Sequence, residues 1–289
     1  MIKQISENKT IEQICLVITT AIWGITFITV KEALHDAPPF AFATGRFLIA
    51  ATCNLFFIAH QFKFFTKLEI LGGFLSGILL HVGYTFQNYG LLLTSASKSA
   101  FVTGTSILLV PFILWFYLKK SIPLKTWLSF AVAMIGLFLL INPKGGEINM
   151  GDIITIGCSI AFAGHIVAQD NYMKKNANIF RIFFIQLLTV TILSYISHLL
   201  IDTQPIIWSD RLVEALLITG FFATFVAIGM MVWAQKLLTP TQTAVIFALE
   251  PVFASTYAWY VAGELLSITG WIGGILIIGG VICAESREE

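Results

Sequence analysis

The sequence predicts an all-α membrane protein of ten transmembrane helices, built as two inverted five-helix repeats with both termini cytoplasmic. Three observations carry this. The 289 residues are 57% hydrophobic and 11% charged, whereas about a quarter of a soluble chain is charged, and the mean hydropathy is +0.86. A bilayer core of about 30 Å takes about 20 helical residues, so the length divides into roughly ten crossings with short connections. The basic residues also sort by side when the chain is cut that way. Such a composition leaves no length for a large extramembrane catalytic or receptor domain, and no basic face for nucleic acid.

The apolar segments run near 12–33, 40–60, 70–93, 98–118, 124–142, 152–170, 180–201, 213–236, 242–260 and 266–284. Lys3, Glu7, Lys9 and Glu12 precede the first with no small-residue cleavage signal, so residues 1–11 read as a cytoplasmic lead and not a removable signal peptide. Asp36-Ala37-Pro38-Pro39 punctuates the entry to the second segment, Asn142-Pro143-Lys144-Gly145-Gly146 ends the fifth, and Thr239-Pro240 opens the ninth. Apolar side chains surround each segment, as burial in lipid and neighbouring helices requires. Cys15, Cys53, Cys158 and Cys283 lie in apolar stretches without CxxC spacing and read as small apolar residues, not as a disulfide framework or zinc site.

With the N-terminus inside, twelve basic residues fall on the cytoplasmic side: Lys3, Lys9, Lys63, Lys67, Lys119, Lys120, Lys125, Lys174, Lys175, Arg181, Lys236 and Arg287. Four fall outside, Lys31, Lys98, Lys144 and Arg211, and Arg46 lies within a helix. A wrong helix count would scramble that partition, and the positive-inside rule places both termini in the cytoplasm.

The second half repeats the first. Ala21-Ile22-Trp23-Gly24 recurs as Ala161-Phe162-Ala163-Gly164, Phe40 and Arg46 fall opposite Phe180 and Gln186, and Pro111-Phe112 corresponds to Pro251-Val252-Phe253, all displaced by 140 positions. Trp127 to Gly136 parallels Trp271 to Gly280 at a displacement of 144. The order of these matches predicts a duplication, 12–142 and 152–284, followed by a cytoplasmic tail at 285–289. A five-helix unit has an odd number of crossings, so its second copy enters the membrane from the opposite side. Inverted repeats are a device of secondary transporters, which open one central site to either face in turn.

Ten helices in two repeats, the early Trp23-Gly24, Arg46 at the seventh residue of helix 2, Leu249-Glu250-Pro251-Val252-Phe253 in helix 9 and Ser99-Ala100-Phe101-Val102-Thr103-Gly104 before Val110-Pro111 resemble the drug/metabolite transporter superfamily in its EamA-type branch. The resemblance covers residues 12 to 284. It implies a basket of helices around a central cavity with the fifth and tenth helices peripheral. Its members move amino acids, aromatic metabolites, vitamins, nucleotide-linked cofactors and drugs, so it does not fix a substrate. Val110 stands where the second repeat has Glu250, so any chemistry of that carboxylate is not duplicated.

Few polar groups lie inside the helices. Glu250 is read either as a proton-coupling or substrate-amine site, or as a carboxylate paired to fix packing beside Pro251. Arg46 either clamps a substrate carboxylate, or pairs with Glu250, Glu264 or backbone carbonyls, or snorkels outward. Pro111 and Pro251 are expected to kink their helices. His81, Gln87 and Asn88 on helix 3, with His165, Gln169 and Asp170 on helix 6, are candidate substrate donors and acceptors, or interhelical hydrogen-bonding groups. Trp23, Tyr84, Tyr89, Trp233, Tyr257 and Trp259 are expected to line a cavity; Trp115, Tyr117, Trp127, Trp208 and Trp271 suit the interfacial belt. Gly73 and Gly77, and Gly270 and Gly274, have GxxxG spacing, which admits a homodimer.

No Walker-type loop and no HExxH, GxSxG or paired-carboxylate constellation occurs in the sequence, so neither ATP-driven transport nor hydrolysis is expected. The sequence reading is an inner-membrane secondary transporter that alternates access around a midplane site. It exports a small amino acid or related amphipathic or aromatic compound, with protons as the coupling ion, the lipid bilayer as its setting, and no cofactor, metal or nucleic acid. The alternatives are an importer of a vitamin or nucleotide-linked cofactor and an uncoupled, channel-like facilitator.

Overall fold

The computed structural model describes residues 9–141, 148–175, 177–262 and 267–285. Lys3, Lys144, Arg287 and Glu264, which entered the sequence reading, lie outside these. Among the described residues the chain is helical throughout: α1 Thr10–Ala33, α2 Pro39–Ile58, α3 Lys67–Leu93, α4 Ala96–Phe116, α5 Leu124–Ile141, α6 Met150–Met173, α7 Ile179–Ile201, α8 Asp210–Ala234, α9 in two pieces (Pro240–Phe247 and Glu250–Ala262), and α10 Ile268–Glu285. Eight of these are long and apolar enough to cross a membrane; α5 and α10 are apolar but shorter.

Local sequence sets the starts. Thr66 with Glu69, Asn149 with Asp152 and Thr239 with Gln242 form reciprocal capping boxes on α3, α6 and α9, each satisfying backbone donors that would otherwise be orphaned at a helix end. Asn178 and Ser209 cap α7 and α8 through one side-chain oxygen. Among the described residues irregularity is confined to three helices. α4 is broken at Thr105, six residues before Pro111. α8 carries a π-helical stretch, Ile218–Val226. α9 is interrupted at Ala248–Leu249, immediately before Glu250 and Pro251, where the amides of Ala248 and Leu249 turn back to Val245 and Ile246.

Packing is reciprocal between the two sets of five. α2 packs on α7 and α5 on α10; α3 packs on α6 and α7, as α8 packs on α1 and α2; α4 packs on α6, as α9 packs on α1. The correspondence reaches single residues. A Cβ on Gly77 would stand 2.9 Å from the Gln186 carbonyl and 2.6 Å from Thr189 Cβ, and a Cβ on Gly220 would stand 3.0 Å from the Arg46 carbonyl and 2.9 Å from Ile49 Cβ. Gly220 is 143 positions after Gly77, while Gln186 and Thr189 are each 140 after Arg46 and Ile49. The close approach of Gly136 to the Gly273 carbonyl likewise has its mate in Gly280 against the Ser129 carbonyl. Exchanging the halves turns each of these contacts into another one that exists. Gly73 and Gly77, whose spacing admits a homodimer, close α3 onto α7 of the same chain.

The α5–α10 crossing yields a stability prediction. A methyl at Gly273 would collide with the Gly136 carbonyl oxygen and the Leu140 amide, both backbone, whereas a methyl at Gly279 finds nothing within 4 Å. Gly273→Ala is therefore expected to cost about 1–3 kcal/mol by overpacking, while Gly279→Ala is neutral or slightly stabilising. Thermal unfolding of the two variants in detergent checks this; similar shifts for both would contradict it.

Ion pairs gather at the two ends of the bundle. At one end Arg211 makes bonds of 2.9 and 2.7 Å to the Asp36 carboxylate, and Ser209 donates to it at 2.5 Å. These join the α1–α2 turn to the start of α8. Lys31 donates to the Thr94 carbonyl, and Lys98 pairs with Asp152 at 3.5 Å. The described residues assigned to the outer side by charge, Lys31, Lys98 and Arg211, thus share one end. At the other end Arg181 forks onto Glu69 at 3.0 and 2.8 Å, and the Asn178 amide donates to the same carboxylate.

The hydrogen bonds from Arg211 and then Ser209 hold the Asp36 carboxyl at about 2, below the ordinary carboxylate range. A depressed folded-state value means that Asp36 contributes its full stabilisation above the unfolded value of about 3.9 and loses it as pH falls toward the folded value. The difference in melting temperature between the wild type and Asp36→Asn is expected to hold constant from neutral pH down to about 4 and to shrink below that. A difference that already shrinks between pH 7 and 5 would contradict the assignment.

Candidate functional site

Seven helices, α1, α2, α3, α4, α6, α8 and α9, enclose a cavity of about 730 Å³, a figure that includes the open space at its mouth. Close helix contacts create it. Gly24 lets α1 approach α9 so closely that a Cβ there would stand 2.7 Å from the Glu250 carbonyl, and Gly104 of α4 faces the Pro251 ring. The walls are mostly apolar and aromatic: Trp23, Phe27, Val30, Leu80, Tyr84, Leu91, Phe162, Ile166, Ile228, Met231 and Phe247. Into them project Thr26, Arg46, Gln87, Thr103, Ser106, His165 and Glu250.

Arg46 is 3% exposed. Its Nε donates to Thr224 Oγ1 at 2.6 Å, and one Nη donates to the Tyr84 hydroxyl at 3.0 Å and, more weakly, to the Ala223 carbonyl at 3.5 Å. The guanidinium also lies over the Tyr84 ring, 4.5 Å from its centroid, a cation–π contact that offsets part of its desolvation. Ala223 and Thr224 both belong to the π-helical stretch of α8, whose wider turn presents a carbonyl and a hydroxyl side by side. The same Ala223 carbonyl accepts the Trp23 indole N–H at 2.8 Å, and the Trp23 ring meets Phe247 edge-on at 5.0 Å. Trp23, Arg46 and Tyr84 therefore form one hydrogen-bonded wall.

Glu250 is 7% exposed and opens the second piece of α9. Among the described residues no ion pair or hydrogen bond reaches its carboxylate. Arg46 likewise has no carboxylate partner there, so the acid and the base line one cavity without pairing with each other. Gln186, in the position corresponding to Arg46, is fully buried behind the wall and bonds His165 Nε2 at 3.0 Å.

Of the candidates read from sequence, Trp23, Arg46, Gln87, His165 and Glu250 come together around this cavity. The others sit elsewhere. His81 bonds Ser194 at 3.0 Å and stacks on Phe40; Asn88 donates to the Pro39 carbonyl at 3.4 Å. Gln169 donates to Gln235, which in turn donates to the Ile166 carbonyl, tying α6 to α8. Trp233 and Tyr257 are half-buried and do not line the cavity. Sequence reasoning missed Thr26, Thr103, Ser106 and Phe162 in the wall, and Thr224 behind it. The helical period carried a usable signal on α3: Leu80, Tyr84, Gln87 and Leu91 form one stripe, and His81, Thr85 and Asn88 form the next.

This architecture has known relatives. A transporter of uncharacterised function from Archaeoglobus fulgidus is 35% identical over 94% of this chain and 85% of its own length. A probable amino-acid metabolite efflux pump from Salmonella typhimurium is 24% identical over 91% of each chain. One solved crystal structure shares the fold with a TM-score of 0.77 at 16% identity, covering 96% of this chain and 97% of its own. The EamA-like transporter family matches twice in tandem, at residues 10–142 and 149–285. This chain belongs to the EamA-like transporter family and is a multi-pass membrane transporter.

Proposed function

We propose that the protein is an inner-membrane secondary transporter that moves a small zwitterionic metabolite, an amino acid or a related amphipathic or aromatic compound, out of the cell by alternating access. The observation that carries this is the presence in one cavity of two groups of opposite charge that do not pair with each other. Arg46 and Glu250 line one cavity together with aromatic side chains, and neither has an ion-pair partner among the described residues. A buried charge left unpaired is costly, and a cargo bringing a carboxylate and an amine satisfies both ends at once. The relative from Salmonella typhimurium, a probable amino-acid metabolite efflux pump, agrees with that cargo.

In this reading all ten helices cross the bilayer, α5 and α10 at the periphery, and residues 12–142 and 152–284 are the two repeats in opposite orientation with both termini cytoplasmic. The reciprocal contacts of the two halves support it, because a site on the axis relating them can open to either face by exchanging their conformations. Proton coupling through Glu250 completes the proposal. Metabolite profiling of cells and medium, with the chain deleted and overproduced, tests cargo and direction together. An amphipathic amino-acid-like compound should accumulate in the medium on overproduction and in the cells on deletion. The reverse pattern would establish import, and no change in any zwitterion would reject the cargo.

A further inference from the structure

We propose that Thr224, carried on the π-helical stretch of α8, is a positioning residue that orients Arg46 toward the cargo. This rests on the reading of the cavity as the transport site. The Thr224 side chain is fully buried, and its hydroxyl is committed in both directions. It donates to the Thr219 carbonyl five residues back at 2.8 Å and accepts Arg46 Nε at 2.6 Å. A hydroxyl whose proton is spent on a carbonyl presents only a lone pair, so at this place it can do nothing but accept from the guanidinium. The bond back to Thr219 follows the five-residue spacing of the π turn, so the turn and the orientation of the hydroxyl belong together.

Arg46 has five N–H groups in a rigid fork. Thr224 takes Nε, and Tyr84 with the Ala223 carbonyl takes one Nη. Among the described residues nothing takes the other Nη, and the side chain lines the cavity. Anchoring two corners of a planar group fixes its third. Thr224 and Tyr84 therefore hold the open Nη toward the cargo's carboxylate, and Thr224 does so without touching the cargo, since it does not line the cavity. Thr219 and Thr224 have as repeat counterparts Ser76 and His81, each 143 positions earlier; His81 bonds Ser194 instead. The anchor exists in one half alone, as the guanidinium does.

Arginine-selective 15N labelling tests this on the protein without any cargo. The sequence holds four arginines, Arg46, Arg181, Arg211 and Arg287, and loss of one Nε signal in Arg46→Lys assigns Arg46. Thr224→Val, isosteric but unable to accept, is expected to speed hydrogen exchange at Arg46 Nε about tenfold, and Thr224→Ser to stay within about twofold of the wild type. Thr224→Ala stands in if the valine variant does not fold. Unchanged exchange in the valine or alanine variant, or equal acceleration in the serine variant, would overturn the positioning role. In proteoliposomes, Thr224→Val should raise the KM for phenylalanine about tenfold at unchanged maximal rate, with Thr224→Ser restoring it. A wild type that does not carry phenylalanine would count against the cargo proposed above, while the exchange data would still decide the role of Thr224.

Discussion

Arg46→Gln is expected to lower counterflow of an amphipathic zwitterion such as phenylalanine, measured in proteoliposomes below saturation, by about 10–100-fold. The magnitude follows from what is removed. A hydrogen bond to a charged group contributes about 1.5–3 kcal/mol, and the glutamine side chain carries no charge to supply it. Glutamine is the informative substitute because Gln186 holds the corresponding place on α7 in the same kind of helix crossing, with a glycine against its carbonyl. The fold therefore tolerates that side chain at that position, and the melting temperature should change little compared with transport. Arg46→Lys is expected to behave more like glutamine than like arginine. One ammonium cannot serve Thr224, Tyr84 and a cargo carboxylate together, because those three acceptors lie around a planar fork and not around a point. Wild-type KM in Arg46→Gln would make Arg46 a packing element that bridges α2, α3 and α8, and would remove the anionic half of the proposed site.

Helix positions and the internal duplication were legible in the sequence because both are recorded in every residue of a segment. The predicted 70–93 becomes Lys67–Leu93 and 180–201 becomes Ile179–Ile201, shifts set by the caps at Thr66 and Asn178. The pairing of Arg46 with Gln186 at a displacement of 140 anticipates the reciprocal glycine contacts of α3 and α8. The site was legible only in part. Grouping His81, Gln87 and Asn88 by polarity mixes two stripes of α3 that are about 100° apart on the helix, and only the stripe through Tyr84 and Gln87 faces inward. Gln169 lies one turn along α6 from His165, on the same side, yet at its depth the neighbour is Gln235 and not open space. The π-helical stretch left no mark that the sequence reading used. Ile218–Val226 is as apolar as its surroundings, and its effect, aiming Ala223 and Thr224 at Arg46, is a matter of register. Pro111 is expected to kink α4, and the helix is interrupted at Thr105, where Thr105 donates to Ser159 of α6 and Ser159 donates to the Val102 carbonyl.

The polar content of the cavity is as uneven as its helical frame is regular. Arg46 faces Gln186 across the repeat, Glu250 faces Val110, and Tyr84 faces Ala227. Backbone packing therefore repeats between the halves while the charges occur once. Two conformations related by exchange of the halves would be nearly equivalent in backbone packing, yet they would present the charges differently. The energy difference between them is then open to adjustment by whatever occupies the cavity, through its differential interaction with each state. A cargo that neutralises both Arg46 and Glu250, or a proton that neutralises Glu250, is such an occupant.

Glu250→Gln is expected to abolish accumulation of phenylalanine driven by a pH gradient while leaving counterflow at saturating phenylalanine within about threefold of the wild type, with KM raised about tenfold by loss of the amine's charged partner. Glu250 stands where α9 resumes after the turn at Ala248–Leu249, with Pro251 next in sequence. Proline supplies no amide to the Phe247 carbonyl one turn earlier, so the helix cannot run through this point unbroken. The carboxylate accordingly occupies the start of a half-helix, a position in which partial positive charge from the freed amides favours an anion. Its carboxylate is also buried and without an ion-pair partner among the described residues, so in the proposed cycle a proton or a cargo amine is what neutralises it. Glutamine keeps the shape and one hydrogen-bonding oxygen but carries no exchangeable charge, and so uncouples the proton from the cargo without emptying the site. The two measurements separate the three roles open to this residue. Loss of gradient-driven accumulation with counterflow retained identifies proton coupling. A rise in KM in both assays identifies a contact to the cargo amine. A wild type whose accumulation ignores the gradient, with Glu250→Gln indistinguishable from it, identifies an uncoupled facilitator and removes the proton from the mechanism.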